Sequence, residues 1–332
     1  MVPDPITIKG VIMLQTILAL LIAFAISAGL GPVVIPILRR LKIGQTIRNE
    51  GPETHLAKNG TPTMGGVLIL LGLIVGSLVF IKTSDKILPI LFLTVGFGIV
   101  GFIDDFIKVV LKRSMGLRAW QKMGLQILIT GLFGAYMQFM SDVPLDMIIP
   151  FTGGKEIHLA HMPYLTIPLL FLVVLGTDTG ANFTDGLDGL ASKVTSVIAV
   201  FFAVVSLIKG GGTEVPAAAL IGGLLGFLLY NSYPAKVFMG DTGALALGGF
   251  VAAEAYLLKM PLFIPIIAFI YLAEVVSVML QVSYFKLSHG KRIFKMAPIH
   301  HHFEKCGYKE TKVVSAFTIV TVIMCCIALL GI

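Results

Sequence analysis

The sequence predicts an all-α protein that crosses a membrane about ten times, because of its hydropathy, its charge content and the length of its apolar runs. Over 332 residues the mean hydropathy is +0.94, with 56% hydrophobic and only 13% charged residues. Several apolar runs reach about 18 residues or more, which is the length that an α-helix needs to cross a bilayer. Transmembrane β-strands would instead alternate apolar and polar residues, so neither a barrel nor a soluble fold is expected.

Ten apolar runs are expected to form helices, and we treat residues 1–332 as a single integral-membrane domain because no soluble segment or internal repeat interrupts them. The first run continues to Leu38, and its positive charges follow it, which is the reverse of a secretory signal peptide, so an uncleaved span is favoured. The fifth run has the shortest apolar core, from Pro163 to Gly176. The predicted spans are residues 11–38, 64–81, 87–107, 123–140, 159–177, 189–208, 215–231, 241–258, 262–285 and 313–331.

Lys and Arg residues are concentrated in one set of alternate loops, and the positive-inside rule places these loops in the cytoplasm. Both termini then lie outside. Topology explains most of the net charge of +7, and no nucleic-acid partner is expected because exposed aromatic residues do not accompany the charges. The cytoplasmic loops hold Arg39, Arg40, Lys42, Arg48, Lys58, Lys108, Lys112, Arg113, Arg118, Lys122, Lys193, Lys236, Lys286, Lys291, Arg292, Lys295, Lys305, Lys309 and Lys312, whereas the opposite loops hold Lys9, Lys82, Lys86, Lys155, Lys209 and Lys259.

Two adjacent carboxylates, Asp104 and Asp105, stand at the cytoplasmic end of the third span in Gly101-Phe-Ile-Asp-Asp-Phe-Ile-Lys108. Lys108 is expected one helical turn beyond them. Hydrated acids that merely end a span would give the same pattern. With a divalent metal or a phosphate nearby, the two carboxylates could instead hold the ion or act as a base.

A second polar group, Asn182-Phe-Thr-Asp185-Gly-Leu-Asp188-Gly, precedes the sixth span. A spacing of three residues places Asn182, Asp185 and Asp188 near one face of a helix, and carboxylates at a helix N-terminus are stabilised by the helix dipole. Helix capping is the alternative, since Asn and Asp are good caps. One helix does not need three caps, so a functional role is favoured.

A third polar group lies between two apolar spans, in Asn231-Ser-Tyr-Pro-Ala-Lys-Val-Phe238-Met-Gly-Asp241-Thr-Gly243. A single carboxylate at a helix start suits Mg²⁺, which commonly binds through one or two carboxylates together with substrate phosphate. Asp241 as a plain N-cap is the alternative. Phe238 is suited either to stacking on a base or to packing between helices.

Two further motifs lie in basic loops. His300, His301 and His302 are consecutive, so they diverge on a regular helix and lack the i,i+4 spacing of a helical zinc site. Hydrogen bonding to phosphate suits them better than zinc. The other motif, Lys58-Asn-Gly-Thr61-Pro-Thr63-Met-Gly-Gly66, combines a cation, hydroxyls and flexible backbone, and by itself it is a loop that enters a helix.

Together, GTPTMGG, DDFIK, NFTDGLDGLA, NSYPAKVFMGDTG and PIHHHFE occur in the order found in the phospho-MurNAc-pentapeptide transferase family, which the chain resembles over its whole length. The first four motifs belong to the wider polyprenyl-phosphate sugar-1-phosphate transferase superfamily, and PIHHHFE marks this branch. Two departures are Thr179, where family members commonly have Asn, and Ala244, where they have Ser.

The resemblance implies transfer of phospho-MurNAc-pentapeptide from UDP-MurNAc-pentapeptide to undecaprenyl phosphate, with Mg²⁺ required and UMP released. It also implies a location in the bacterial cell membrane and a cytoplasmic cleft that membrane lipid can reach. The oligomeric state is undetermined, and a homodimer is one option. By resemblance, Asp104 and Asp105 are the catalytic pair and Asp241 the metal ligand. The other catalytic positions implied are Asn182, Asp185, Lys108, Lys122, His300, His301 and His302, and the nucleotide-binding positions are Lys58, Asp188, Phe238, Asn231 and Thr63.

Several alternatives remain at this stage. Direct attack by the lipid phosphate is preferred to a covalent intermediate, because a positioned phosphate is already an adequate nucleophile. The sister activity on UDP-N-acetylhexosamine is disfavoured by PIHHHFE. A cation-coupled transporter is suggested by Glu254 and Glu274 within predicted spans, although the main polar group lies at one membrane face. An intramembrane aspartyl protease is not expected, because Phe238 stands where its Gly-x-Gly-Asp motif needs glycine.

Overall fold

The computed structural model of the protein describes residues 5–40, 60–109, 116–143, 145–159 and 162–332, and most of them are helical. Two-residue strands β1 (Met147–Ile148) and β2 (Glu156–Ile157) pair antiparallel. The helices are α1 (Pro5–Arg40), α2 (Gly66–Leu78), α3 (Ile87–Val109), α4 (Ala119–Phe139), α5 (Pro163–Thr184), α6 (Leu190–Lys209), α7 (Glu214–Asn231), α8 (Gly240–Leu257), α9 (Ile264–Ile267), α10 (Phe269–Leu287), α11 (Ile299–Lys305) and α12 (Glu310–Leu330).

The helices confirm an all-α membrane protein. Within the described part of the chain, seven helices are long and apolar enough to cross a membrane: α1, α3, α5, α6, α7, α10 and α12. Helices α2, α4 and α8 occupy the other three predicted spans, and α2 has only 13 residues. The count of ten spans and the location of both termini therefore stay predictions.

The predicted ninth span, residues 262–285, is divided. A 3₁₀ turn at Pro261–Phe263 leads into the four-residue α9, and Ala268 then leaves helical geometry with φ −104° and ψ 36°. Helix α10 begins at Phe269. Hydropathy did not reveal this interruption, because the residues on both sides of it are equally apolar.

Helix α8 lies at the centre of the bundle, and every residue from Thr242 to Leu257 is buried. Two glycines let neighbouring helices approach its first turn closely. A β-carbon at Gly101 of α3 would lie 2.0 Å from the backbone oxygen of Asp241, and one at Gly66 of α2 would lie 2.2 Å from the nitrogen of Gly243. These approaches fix Asp241 against α2 and α3.

Two polar regions lie at opposite ends of α8. At its C-terminal end, Ile148 N–H donates to the backbone oxygen of Lys259 (2.8 Å), and the Lys259 ammonium pairs with Glu156 at 2.9 Å. Asp241 stands at the other end, and 18 helical residues separate the ends by about 27 Å. The β1–β2 hairpin is thus remote from the acidic motifs.

Candidate active site

Asp241 is the centre of the polar cluster, because three side chains from three other helices bind its carboxylate. Its Oδ2 accepts hydrogen bonds from Lys108 Nζ of α3 at 2.8 Å and from Lys122 Nζ of α4 at 3.0 Å. Its Oδ1 accepts from Asn182 Nδ2 of α5 at 2.9 Å. Two adjacent ammonium groups favour the ionised form of a partly buried acid. Asp241 is therefore held as a carboxylate and does not act as a simple helix cap.

The adjacent carboxylates of α3 have different partners. Asp104 Oδ2 pairs with Lys108 Nζ at 2.6 Å, as the i,i+4 spacing predicts, and its Oδ1 accepts from Leu117 N–H at 2.6 Å. Asp105 accepts from the backbone N–H of Asp241 (3.2 Å) and from the N–H and hydroxyl of Thr242 (2.9 and 2.7 Å). Asp104 thus shares one lysine with Asp241, whereas Asp105 binds the first turn of α8.

The expectation that Asn182, Asp185 and Asp188 share a helical face is wrong. Helix α5 ends at Thr184, and α6 does not begin until Leu190. The intervening residues form a turn that closes at a glycine with φ 74°, a conformation that residues with side chains rarely adopt. We call residues Asp185–Asp188 the acidic turn. Only Asn182 of the three is helical, in the last turn of α5.

The acidic turn is anchored through Asp188, and its other acid, Asp185, lies among carboxylates. The Asp188 N–H donates to Glu310 Oε1 of α12 at 2.7 Å, and Asp188 Oδ2 accepts from the N–H of Ala235 at 2.9 Å. Burial raises the pKa of Asp185 well above its usual range, and the nearby carboxylates of Asp241 and Asp105 raise this pKa further. Protonation of Asp185 would relieve the repulsion among these acids.

The residues predicted to bind a nucleotide lie beside this cluster. Phe238 is half-buried, and its backbone pairs with the segment before α2, since its N–H donates to Pro62 (2.8 Å) and its carbonyl accepts from Gly65 (2.9 Å). Among the described residues Thr63 Oγ1 has no hydrogen-bond partner, although it is buried. Asn231 is buried and donates to the Val237 carbonyl at 3.0 Å. Lys58 lies outside the described residues.

The three histidines of α11 bind three separate partners. His300 Nδ1 lies 3.0 Å from Glu274 Oε1, and His301 Nδ1 lies 2.8 Å from Glu304 Oε2. His302 Nδ1 accepts from the backbone N–H of Lys295 at 3.1 Å. The three imidazoles thus have different partners, and their lack of a shared zinc site stays a prediction.

Three residues that support the cluster are absent from the sequence-based site: Thr242, Glu310 and Glu274. Thr242 is inside a quoted motif, so its hydroxyl beside Asp241 was a usable signal. Glu310 and Glu274 lie in or at the ends of apolar helices far along the chain, and neither has local neighbours that point to its partner.

Two groups of residues have donor sets suited to a cation. In the Asp241 cluster, the Lys108 ammonium lies 2.8 Å from Asp241 and 2.6 Å from Asp104, so a positive charge already bridges two carboxylates. Oxygen donors of this kind suit Mg²⁺. Elsewhere in the described ranges, the ligand atoms of Asp146, Glu156 and His158 lie within 4.8 Å of one another. That triad is at the hairpin end of the bundle.

Comparison with protein families gives two matches. The model described as glycosyl transferase family 4 matches residues 87–259, from the start of α3 to just beyond α8. A phospho-N-acetylmuramoyl-pentapeptide-transferase signature matches residues 58–70. The first match contains Asp104, Asp185 and Asp241, and the second contains Thr63.

Three relatives, each named phospho-N-acetylmuramoyl-pentapeptide-transferase, match almost the whole chain. The protein of Clostridioides difficile is 48% identical over 314 residues, covering 94% of this chain and 96% of the relative. That of Acetivibrio thermocellus is 49% identical over 307 residues, or 92% of each chain. That of Caldicellulosiruptor bescii is 49% identical over 319 residues, covering 95% of this chain and 97% of the relative.

Proposed function

Since the chain belongs to the phospho-N-acetylmuramoyl-pentapeptide transferase family, we propose that the Asp241 cluster is the site of its transfer reaction. The enzyme transfers phospho-MurNAc-pentapeptide from UDP-MurNAc-pentapeptide to undecaprenyl phosphate. Lipid I and UMP are the products of this first membrane step of peptidoglycan synthesis. The observation that carries the site assignment is the convergence of Lys108, Lys122 and Asn182 on the carboxylate of Asp241.

The reaction joins two anions, so charge neutralisation and positioning are its main requirements. An oxygen of the lipid phosphate attacks the β-phosphorus of the nucleotide sugar, the bond from that phosphorus to the bridging oxygen breaks, and UMP leaves with the bridging oxygen. Lys108 and Lys122 offset the negative charge that gathers at the two phosphates. Asp104, beside Lys108, takes the proton of the lipid phosphate. A covalent phospho-sugar intermediate on a carboxylate is the competing mechanism.

Mg²⁺ is the implied cofactor, and the residues of the cluster fit it. Asp241 would hold the ion, and Asp104, which shares Lys108 with it, would stand nearby. When bound, Mg²⁺ supplies neutralisation of phosphate charge. Asp105 keeps the first turn of α8 in place, so that the carboxylate of Asp241 has a fixed position.

The nucleotide half of the substrate is assigned to the residues around Phe238. The half-buried ring of Phe238 stacks on uracil, and Asp188, Asn231 and Thr63 surround the nucleoside. Lys58, which is outside the described residues, joins this group by resemblance alone. Asp185, with His301 and His302 of α11, completes the polar cleft, and His300 is considered separately below.

The finer features of the topology belong to the same proposal. Ten spans with both termini outside place the cluster at the cytoplasmic face of the bacterial cell membrane, where the nucleotide arrives from the cytosol and the lipid phosphate from the bilayer. Most Lys and Arg residues lie in the loops at this face, as the positive-inside rule requires. A homodimer is retained as a hypothesis, to be tested by native mass spectrometry in detergent.

The test is direct. Purified protein is incubated in lipid or detergent with UDP-MurNAc-pentapeptide, undecaprenyl phosphate and Mg²⁺, and both lipid product and UMP are measured. UDP-N-acetylhexosamine serves as the competing donor. Turnover confined to the first donor supports the proposal, turnover of only the second supports the sister activity, and absence of UMP release with both contradicts a transferase.

A further inference from the structure

Glu274 of α10 and His300 of α11 form a buried polar pair. Their side chains are 0% and 1% exposed, and His300 Nδ1 lies 3.0 Å from Glu274 Oε1. A buried imidazole N–H requires an acceptor, so Nδ1–H donates to the carboxylate and the orientation of the ring is fixed. The described structure provides no hydrogen-bond partner for the other ring nitrogen, Nε2.

That second nitrogen faces the acidic turn. A β-carbon built on Gly186 would lie 2.1 Å from His300 Nε2 and 2.5 Å from its Cε1. The ring therefore fills the space that a side chain at position 186 would occupy. Gly186 has no positive φ, so its backbone would accept alanine if the ring were absent.

His300 is also more deeply buried than the two histidines that follow it. His301 and His302 are partly exposed, whereas Nε2 of His300 is covered and packed against Gly186. A substrate phosphate cannot touch this atom unless the acidic turn moves away. Contact with the turn is thus the direct role that the geometry gives His300.

We infer that Glu274 and His300 are a positioning pair that holds the acidic turn, and that His300 acts on the reaction through this turn and not by touching the substrate. The inference rests on the proposed function, in which Asp185 and Asp188 of the turn line the substrate cleft. Glu274 fixes the ring through Nδ1, and the ring fixes the turn at Gly186.

The first test is a reciprocal substitution measured by calorimetric UMP binding, which needs no turnover. Gly186→Ala introduces the overlap and is expected to weaken UMP binding by about tenfold or more, because small-to-large changes in packed sites displace their surroundings. His300→Ala removes the ring, so Gly186→Ala should add little to the loss in that background. Gly176→Ala is the matched control, since a β-carbon there meets no atom within 4 Å.

The second test acts from the other side of the ring. Glu274→Gln keeps an oxygen that can accept the Nδ1–H, so its UMP affinity should stay within about threefold of the wild-type value, whereas Glu274→Ala should lose about tenfold. Glu274→Ala should add nothing to His300→Ala. The matched control is Glu254→Gln, because Glu254 is an equally buried acid that lies in another helix.

The outcomes decide between the two roles of His300. The inference would be overturned if Gly186→Ala bound UMP with wild-type affinity. It would also be overturned if the fold-losses of UMP affinity multiplied when His300→Ala was combined with Gly186→Ala or with Glu274→Ala. A His300→Ala variant with unchanged UMP affinity and a large loss of kcat would overturn it as well, since that pattern indicates contact with the reacting groups. If the wild-type protein neither binds UMP nor makes lipid I, the proposed function fails. The contact between His300 and Gly186 is then tested by thermal stability, because the losses of the two single variants, Gly186→Ala and His300→Ala, should not add in the double variant.

Discussion

The clearest prediction about the adjacent acids of α3 is that Asp105 contributes more to stability than Asp104 does. Asp105→Ala removes the acceptor of three hydrogen bonds from the first turn of α8: the N–H of Asp241 and both the N–H and the hydroxyl of Thr242. Asp105 is only 3% exposed, so water does not readily replace the lost carboxylate. The variant should therefore loosen the start of the central helix.

The magnitude follows from the individual bonds. The two bonds from Thr242, at 2.9 and 2.7 Å, each contribute about 1–1.5 kcal/mol net, and the longer bond from Asp241, at 3.2 Å, contributes about 0.5 kcal/mol. Their sum predicts a loss of about 3 kcal/mol in the free energy of unfolding. Asp104→Ala is the comparison variant: it loses the bond from Leu117 N–H, worth about 1 kcal/mol, and a pair with a 37% exposed lysine, worth at most about 1 kcal/mol, so a smaller loss of about 1–2 kcal/mol is expected.

The assay is unfolding of both purified variants by SDS in mixed micelles, followed by circular dichroism. The free energy of unfolding should fall in the order wild type, Asp104→Ala, Asp105→Ala. Equal losses in the two variants, or an Asp105→Ala protein within about 0.5 kcal/mol of wild type, would show that the three hydrogen bonds do not hold α8.

Three further predictions concern the reaction. Asp241→Ala should abolish magnesium-dependent turnover in a folded protein, and near-wild-type turnover with an unchanged magnesium requirement would remove the ligand role. Phe238→Ala should weaken UMP binding by about 1–3 kcal/mol if the ring stacks on the base, and equal affinities by calorimetry would assign the ring to packing. Asp104→Asn should lose most rate at low pH, where less lipid phosphate is dianionic, and its rate should recover as pH rises. A rate deficit that stays constant from about pH 6 to 9, at saturating substrate and Mg²⁺, would exclude Asp104 as the base.

Hydropathy and spacing predicted those parts of the fold that depend on local sequence. The long apolar helices were predictable because burial in lipid is decided run by run. The pair of Asp104 and Lys108 was also predictable, since four residues of helix bring them together. The break between Thr184 and Leu190 was not, because carboxylates three residues apart look helical when the turn between them is unknown.

Other features of the site depend on contacts between distant segments. Asp105 and Thr242 are 137 positions apart, and no pattern near either residue indicates that one caps the helix of the other. Glu274 and His300 are 26 positions apart and lie on separate helices, so their pairing required the three-dimensional structure. The motifs thus identified many of the residues that lie together at the site. The hydrogen-bond partner of each residue depends on how distant helices pack, which the motifs do not show.

The carboxylate of Asp241 also has a consequence for the order of events during synthesis. Its partners Lys108 and Lys122 precede it by 133 and 119 residues, so at about 5–20 residues per second a ribosome makes these lysines roughly 6–27 s before Asp241 exists. Asp104 emerges four residues before Lys108 and can neutralise it from the outset. The nascent chain thus carries a counter-ion for Lys108 from the start, and Asp241 joins this pair only after α8 has entered the bundle.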